Sequence, residues 1–333
     1  MYSLRSRLIR IAWLLVAAAA PSTAKNLEIY VIDVEGGKSV LLVSPSGQSM
    51  LIDAGWPALK DHQPSTDRIV EAVRAAGLKR IDLLVISHFD IDHLGDVPAL
   101  AARVSIGRVF DHGGPGTNAL FAPYAAARDK IGHTVLQAGD TIPLKGVDIR
   151  ILSTLGRLIP NYGTPNPLCN TYKQSAALPA DKEDDNSIGM LITFGKFKML
   201  DLADLEAHLS HGLVCPANAI GLVSVYNVNV HGQFKGIAPE LVGALQAPVF
   251  VQANGARKGA DAQSWPVLKA APGLKDIWQL HTSLNAGHDA NPPDDFVVNR
   301  EPVDTFKWLR ISASKSGAFT VINGRSGFQK TYR

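Results

Sequence analysis

The run Ser87-His88-Phe89-Asp90-Ile91-Asp92-His93-Leu94-Gly95-Asp96 follows directly on the apolar segment 81–86, Ile-Asp-Leu-Leu-Val-Ile. A short β-branched run of that kind is read as a strand buried in a mixed or parallel sheet. Polar residues just beyond such a strand stand at its C-terminal edge, where α/β proteins build their sites. His88 and Asp90 alternate and so point the same way off an extended segment, while Asp92 and His93 follow as the chain turns into a helix expected from Leu94 to about Arg103. Two imidazoles and two carboxylates this close together have the composition of a metal site, and one loop of this kind can serve two ions. The plain alternative is a polar turn capping a helix, which has no need of two histidines beside two aspartates.

The first residues bear on where the chain works. Arg5, Arg7 and Arg10 precede the apolar run 11–20, and Pro21-Ser-Thr-Ala24 supplies small residues at the positions a signal peptidase reads. Residues 1–24 are therefore expected to be a secretory signal, and the protein to be periplasmic or secreted. The run is short for a membrane span, so no stable span is expected after cleavage; an uncleaved anchor is the alternative. Losing those arginines takes three from the 33 basic residues and leaves them equal to the 30 acidic ones. A formally neutral mature chain does not support tight, phosphate-driven nucleic-acid binding, and a small-molecule or oligomeric substrate is expected instead. Cys169 and Cys215 are the only cysteines. In an exported protein a disulfide between them is the natural expectation, with two buried thiols as the alternative.

At the 88–93 loop the chain resembles the metallo-β-lactamase superfamily of metal-dependent hydrolases, whose signature there is H-x-H-x-D-H. Here it reads H-x-D-x-D-H, a form similar to the hydrolase domain of ComEC-type DNA-uptake proteins. The likeness extends to the hairpin 32–43 and 50–55, in which Asp53 matches an aspartate beside the site. It extends also to Asn186-Ser187 and the strand pair that delivers Asp204. The resemblance implies that Asp204 bridges two metals and that His231 is the last ligand of the second. Ala203 stands where the family has glycine, and Val230 where it has the first histidine of His-His-Gly. For Asp204 a helix N-cap is the competing reading.

On this resemblance the second site would take Asp92, His93 and His231 and share Asp204 with the first. The first would take His88, Asp90 and a group the family supplies as histidine just upstream of Ser187. No histidine lies there. The segment 181–186, Asp-Lys-Glu-Asp-Asp-Asn, offers carboxylates instead, and Asp185 is the choice against a merely solvated acidic loop. Imidazole and carboxylate ligands suit zinc, one ion or two, and the carboxylate at position 90 makes manganese plausible at the first site. Asp53 or Asp92 would orient the attacking water or shuttle its proton. His112 follows the next expected strand and either lines the pocket or is an ordinary loop histidine. Arg257 and Lys258, beyond the strand at 249–252, either grip an anionic substrate or belong to an exposed turn. His62, His133, His208, His211, His281 and His288 are read as ordinary.

The family likeness implies an αββα sandwich, and strands alternating with helices without a linker make residues 25–333 one domain of two βα halves. Three functions stay open: an exported hydrolase of a phosphoester, a lactam, lactone or other acyl hydrolase, and a non-catalytic member with a degenerate metal site.

Overall fold

In a computed structural model, residues 25–58, 64–170, 182–300, 305 and 307–333 are described. The expected signal at 1–24 and Asp181 lie outside them. Among the described residues no helix is long and apolar enough to cross a membrane.

The first strand shows how the architecture arises. Leu27–Ile32 reads Leu-Glu-Ile-Tyr-Val-Ile, and successive side chains of a strand face opposite ways. Ile29 and Val31 enter a core shared with the second sheet, whereas Tyr30 and Ile32 enter one beneath the helices Ser65–Ala75, Val97–Arg103 and Phe121–Ile131. A strand covered on both faces has no room for a polar alternation. The first sheet runs in the order Gln329–Tyr332, Phe319–Asn323, Trp308–Ala313, Leu27–Ile32, Val40–Val43, Ser49–Ile52, Arg80–Val85, Ser105–Asp111, His133–Val135. The second runs Val297–Asn299, Asp276–His281, Val249–Gln252, Val225–Asn227, Phe197–Asp201, Gly189–Phe194, Asp148–Thr154, Arg157–Leu158. Its outer face carries Leu241, Val242, Leu245 and Leu268 of the helices Pro239–Leu245 and Ser264–Lys269. Helices outside and two sheets face to face make the expected αββα sandwich of the metallo-beta-lactamase fold.

Both sheets send the C-terminal ends of parallel strands to one edge. In the first sheet, Ser49–Ile52, Arg80–Val85 and Ser105–Asp111 lie parallel in succession. In the second, so do Phe197–Asp201, Val225–Asn227, Val249–Gln252 and Asp276–His281. The backbone N–H of Ile188 donates to the Ser87 carbonyl at 2.9 Å and ties the two sheets together there.

Three expectations need correction. The helix from Leu94 to Arg103 is two pieces, Ile91–Leu94 and Val97–Arg103, broken at Gly95. Gly95 has φ of 55°, and a Cβ there would lie 2.5 Å from the Ala54 carbonyl oxygen, so the approach of two backbones needs a glycine. The Asp96 side chain then caps the second piece by accepting from Ala99 N–H at 2.9 Å. The apolar run 219–230, which reads in the sequence as one strand, yields only Val225–Asn227, because the chain turns into a 3₁₀ segment at Asn229–Gly232. The sequence reads as closing on a hairpin, 305–313 with 319–322, but a further strand follows at Gln329–Tyr332, with little apolar signal because only Tyr332 of its four residues is buried. Cys169 and Cys215 are joined in a disulfide, as expected.

Candidate metal centre

Asp53 follows strand Ser49–Ile52 with φ of 62°, in the left-handed region. Its carboxylate accepts from Ser87 N–H at 2.7 Å, from Ser87 Oγ–H at 2.8 Å and from His93 Nδ1–H at 2.9 Å. Asp53 is thus behind the ligand rather than at the reacting position expected for it: it fixes the tautomer of His93 and turns Nε2 outward. His231 is held the same way, with Nδ1 donating to the Ala253 carbonyl at 3.0 Å. Val230 and His231 both sit in the left-handed region, at φ of 50° and 55°. Non-glycine residues there cost of order 1–3 kcal/mol each and cluster at functional sites. Ala203 is a third such residue at φ of 51°, a position that favours the glycine it replaces.

Asp92, His93, Asp204 and His231 converge in the buried interior. The Nε2 atoms of His93 and His231 are 3.2 Å apart, and His231 Nε2 lies 3.1 Å from Asp92 Oδ2 and 3.1 Å from Asp204 Oδ2. His93 Nε2 is 3.4 Å from Asp92 Oδ2 and 3.3 Å from Asp204 Oδ1. Four ligands at zinc distances in a tetrahedron stand about 3.4 Å from one another. The residues present fit a metal ion. Asp204 Oδ1 is buried without a hydrogen-bond partner, and Asp204 caps no helix, since the following helix begins only at Ala207.

The electrostatics agree with that fit. Burial disfavours charge on His93, but Asp204, Asp92 and Asp53 overcome it and hold the imidazole well above its usual value. Burial likewise opposes ionisation of Asp92 and Asp204; the histidines, with Lys258 beside Asp92, hold both carboxyls well below theirs. Surrounding carboxylates draw positive charge to this point, whether from a proton or a metal.

A second cluster is His88, Asp184 and Asp204. His88 Nδ1 faces Ser87 Oγ at 3.1 Å, while its buried Nε2 has no hydrogen-bond partner and lies 3.6 Å from Asp90 Oδ2 and 3.8 Å from Asp184 Oδ1. The carboxylate facing His88 is therefore Asp184. Asp185, the residue expected from the sequence, points elsewhere, to His208 Nε2 at 3.2 Å. The difference is one position in the 3₁₀ turn Asp184–Asn186.

Three lysines lie beside these ligands. Lys38, invisible as a site residue in the sequence, is buried between Asp201, with which it is hydrogen-bonded, and Asp53 at 4.0 Å. Against the cost of burial, those carboxylates raise its pKa. Lys258 pairs with Asp92, its ammonium 4.9 Å from the Trp56 ring centre. Lys235 pairs with Asp184 and lies 3.1 Å from Glu206 Oε1. Arg257 is exposed, and its backbone carbonyl accepts from Asn285 Nδ2 at 2.7 Å. His112 is buried and occupied: Nδ1 accepts from Gly114 N–H at 3.1 Å, and Nε2 faces Glu183 Oε1 at 3.3 Å. Glu183 also accepts from Phe89 N–H at 2.7 Å, so His112 steadies the loop that carries Asp184.

Residues 33–115 match the metallo-beta-lactamase superfamily. That stretch holds Asp53 and the whole 88–93 loop, the part of the centre supplied by the first sheet. The chain is also similar in structure to the metallo-beta-lactamase fold protein YhfI from Bacillus subtilis, at 13% identity over 76% of this chain and 96% of that one, with a TM-score of 0.49. A putative metal-dependent hydrolase from Parabacteroides distasonis shares 15% identity over 76% and 93% of the two chains, with a TM-score of 0.45. A putative zinc-dependent hydrolase of the metallo-beta-lactamase superfamily from Thermotoga maritima shares 15% identity over 67% and 74%, with a TM-score of 0.32. No curated protein matches by sequence. In the metallo-beta-lactamase fold of this chain, Asp204 and His231 come from the second sheet and lie outside the matched stretch, and they complete the cluster that His93 and Asp92 begin.

Proposed function

We propose that this protein is an exported metal-dependent hydrolase acting on a phosphoester. The observation that carries the reading is the buried array of Asp92, His93, Asp204 and His231, which offers one ligand atom each within 4.8 Å of one another, with imidazole-to-carboxylate separations of 3.1–3.4 Å. A divalent ion held there would supply Lewis-acid polarisation and a water acidified to near neutral pH. The protein's own part is orientation and charge. Asp53 and the Ala253 carbonyl hold the Nδ1 protons of His93 and His231, so that both Nε2 lone pairs face the same point. Lys258, partly exposed and next to Asp92, is placed to grip a phosphoryl oxygen, which favours an anionic substrate over a neutral lactam. The disulfide supports an oxidising compartment, in keeping with the signal read at residues 1–24.

The wider spacing of the His88 cluster favours one tightly held ion over two. His88 Nε2 stands 3.6 and 3.8 Å from Asp90 and Asp184, and Asp90 is partly exposed, so that zinc belongs to the His93 cluster and any ion beside His88 and Asp90 is held loosely, manganese being the better match there. The test is turnover of bis-nitrophenyl phosphate against a chromogenic lactam by zinc- and manganese-loaded protein. Phosphoester cleavage that disappears in His93→Ala is expected; lactam cleavage alone would turn the reading to acyl transfer, and no turnover of either to a binding role.

A further inference from the structure

Lys38 places an ammonium where the two sheets meet. The residue is 2% exposed and lies between strands Leu27–Ile32 and Val40–Val43 of the first sheet. Its Nζ donates to Oδ1 of Asp201, the last residue of strand Phe197–Asp201 in the second sheet, and stands 4.0 Å from Asp53 Oδ2. The backbone of Lys38 is tied to the loops that carry Asp92 and Asp53. Its N–H donates to the Asp92 carbonyl at 3.0 Å, and its carbonyl accepts from Gly55 N–H at 2.9 Å. A buried ion pair adds little stability over apolar groups of the same volume, and its better attested return is a fixed arrangement of parts.

The parts arranged here are those of the metal centre. Asp53 holds Nδ1 of His93, so the ammonium beside it steadies the group that orients that ligand. Asp201 reaches the other half: Oδ1 also accepts from Ala203 N–H at 3.1 Å, and Oδ2 from Asn227 Nδ2 at 3.0 Å. The Ala203 carbonyl in turn accepts from Val230 N–H at 3.0 Å. Ala203 and Val230 are next in sequence to the ligands Asp204 and His231, and both sit in the left-handed region, at φ of 51° and 50°. Backbone so strained keeps its place only where its surroundings hold it. We infer that Lys38 is a positioning residue of the metal centre: its ammonium sets the half built on Asp53 and His93 in register with the half built on Asp204 and His231. The inference rests on the metal reading of that centre and not on the substrate proposed for it.

Charge alone predicts the opposite of position. A cation beside a metal site repels the metal, so losing the ammonium would tighten zinc by charge, whereas losing a group that orients the ligands loosens it. Lys38→Met by itself leaves Asp201 buried without its cation, and breaking a buried pair destabilises. Lys38→Met combined with Asp201→Asn removes one charge of each sign, so little net charge is lost beside the ion. It also keeps an amide oxygen at residue 201 to accept from Ala203 N–H. The backbone bonds of Lys38 to Asp92 and Gly55 involve neither side chain.

The test is the zinc affinity of the full-length protein by chelator competition, with the visible absorption of bound cobalt(II) reporting how the ligands are disposed. Both Lys38→Met and the double variant are expected to bind zinc about 10–100-fold more weakly than wild type and to show an altered cobalt spectrum. Metal-free thermal unfolding shows which variants fold, and the double variant carries the test if Lys38→Met does not. Zinc bound as tightly as in wild type or more tightly, or more weakly with an unchanged cobalt spectrum, overturns the inference in a folded variant. Absence of tight zinc from wild type overturns the centre and this inference together, a result distinct from tight zinc that is indifferent to Lys38.

Discussion

The two metal clusters share Asp204 yet are built to different standards. In the His93–His231 cluster both imidazoles have a fixed Nδ1 partner and the ligand atoms stand 3.1–3.4 Å apart. In the His88 cluster the separations are 3.6–3.8 Å and Asp90 is partly exposed, while each cluster has a lysine paired with one of its carboxylates, Lys258 with Asp92 and Lys235 with Asp184. A ligand type in the right place is therefore only half of a metal site. The other half is the set of groups that orient each ligand and the balance of charge around it.

The contrast is open to direct test. His231→Ala should abolish tight zinc binding and lower turnover about 10³-fold, the several kcal/mol of charge stabilisation a metal supplies, whereas His88→Ala should leave tight zinc in place. Zinc competition with a chromogenic chelator and steady-state rates check both. Replacing Cys169 and Cys215 by alanine should cost about 2–4 kcal/mol of stability in denaturant titrations, since the bridge closes a loop of 46 residues. Metal affinity of the His93 cluster should survive that change, because neither cysteine touches its orienting groups. Asp53→Asn should weaken zinc about 10–100-fold, as loss of a partner behind a ligating histidine does, and competition titrations read it. Lys235→Met should do the reverse at the weaker cluster, improving a second equivalent of manganese about fivefold, the worth of an ion pair of about 1 kcal/mol. Electron paramagnetic resonance of bound manganese reports that change.

Local pattern carried the fold well. The strand read at 81–86 and the helix read at 66–76 announce themselves by apolar pattern and are found as Arg80–Val85 and Ser65–Ala75, whereas the strand Leu27–Ile32 lies ahead of the hairpin read at 32–43. The 88–93 loop was legible for a similar reason, since its ligands are neighbours in sequence. Asp184 was not, because a 3₁₀ turn chooses among three adjacent acidic residues by backbone rotation, and composition is blind to that. Lys38, Lys235 and Glu183 were missed because each gains its meaning from partners far along the chain: Lys38 from Asp201, Glu183 from Phe89 and His112. The break at Gly95 had a visible glycine but no visible reason, which is the carbonyl of Ala54 pressed against it.

The pairing of Leu27 with Ala313 has a consequence for how the molecule is completed. The strand Leu27–Ile32 is made well before one of its two neighbours, Trp308–Ala313, which lies at the far end of a long intervening stretch. Until that neighbour arrives, a strand apolar on both faces presents an open edge, the kind of surface on which chains join one another. Closure over so long a separation is slow to form. A chain cut short just before Trp308 would keep every ligand of the His93 cluster and still be prone to aggregate through the open edge of Leu27–Ile32.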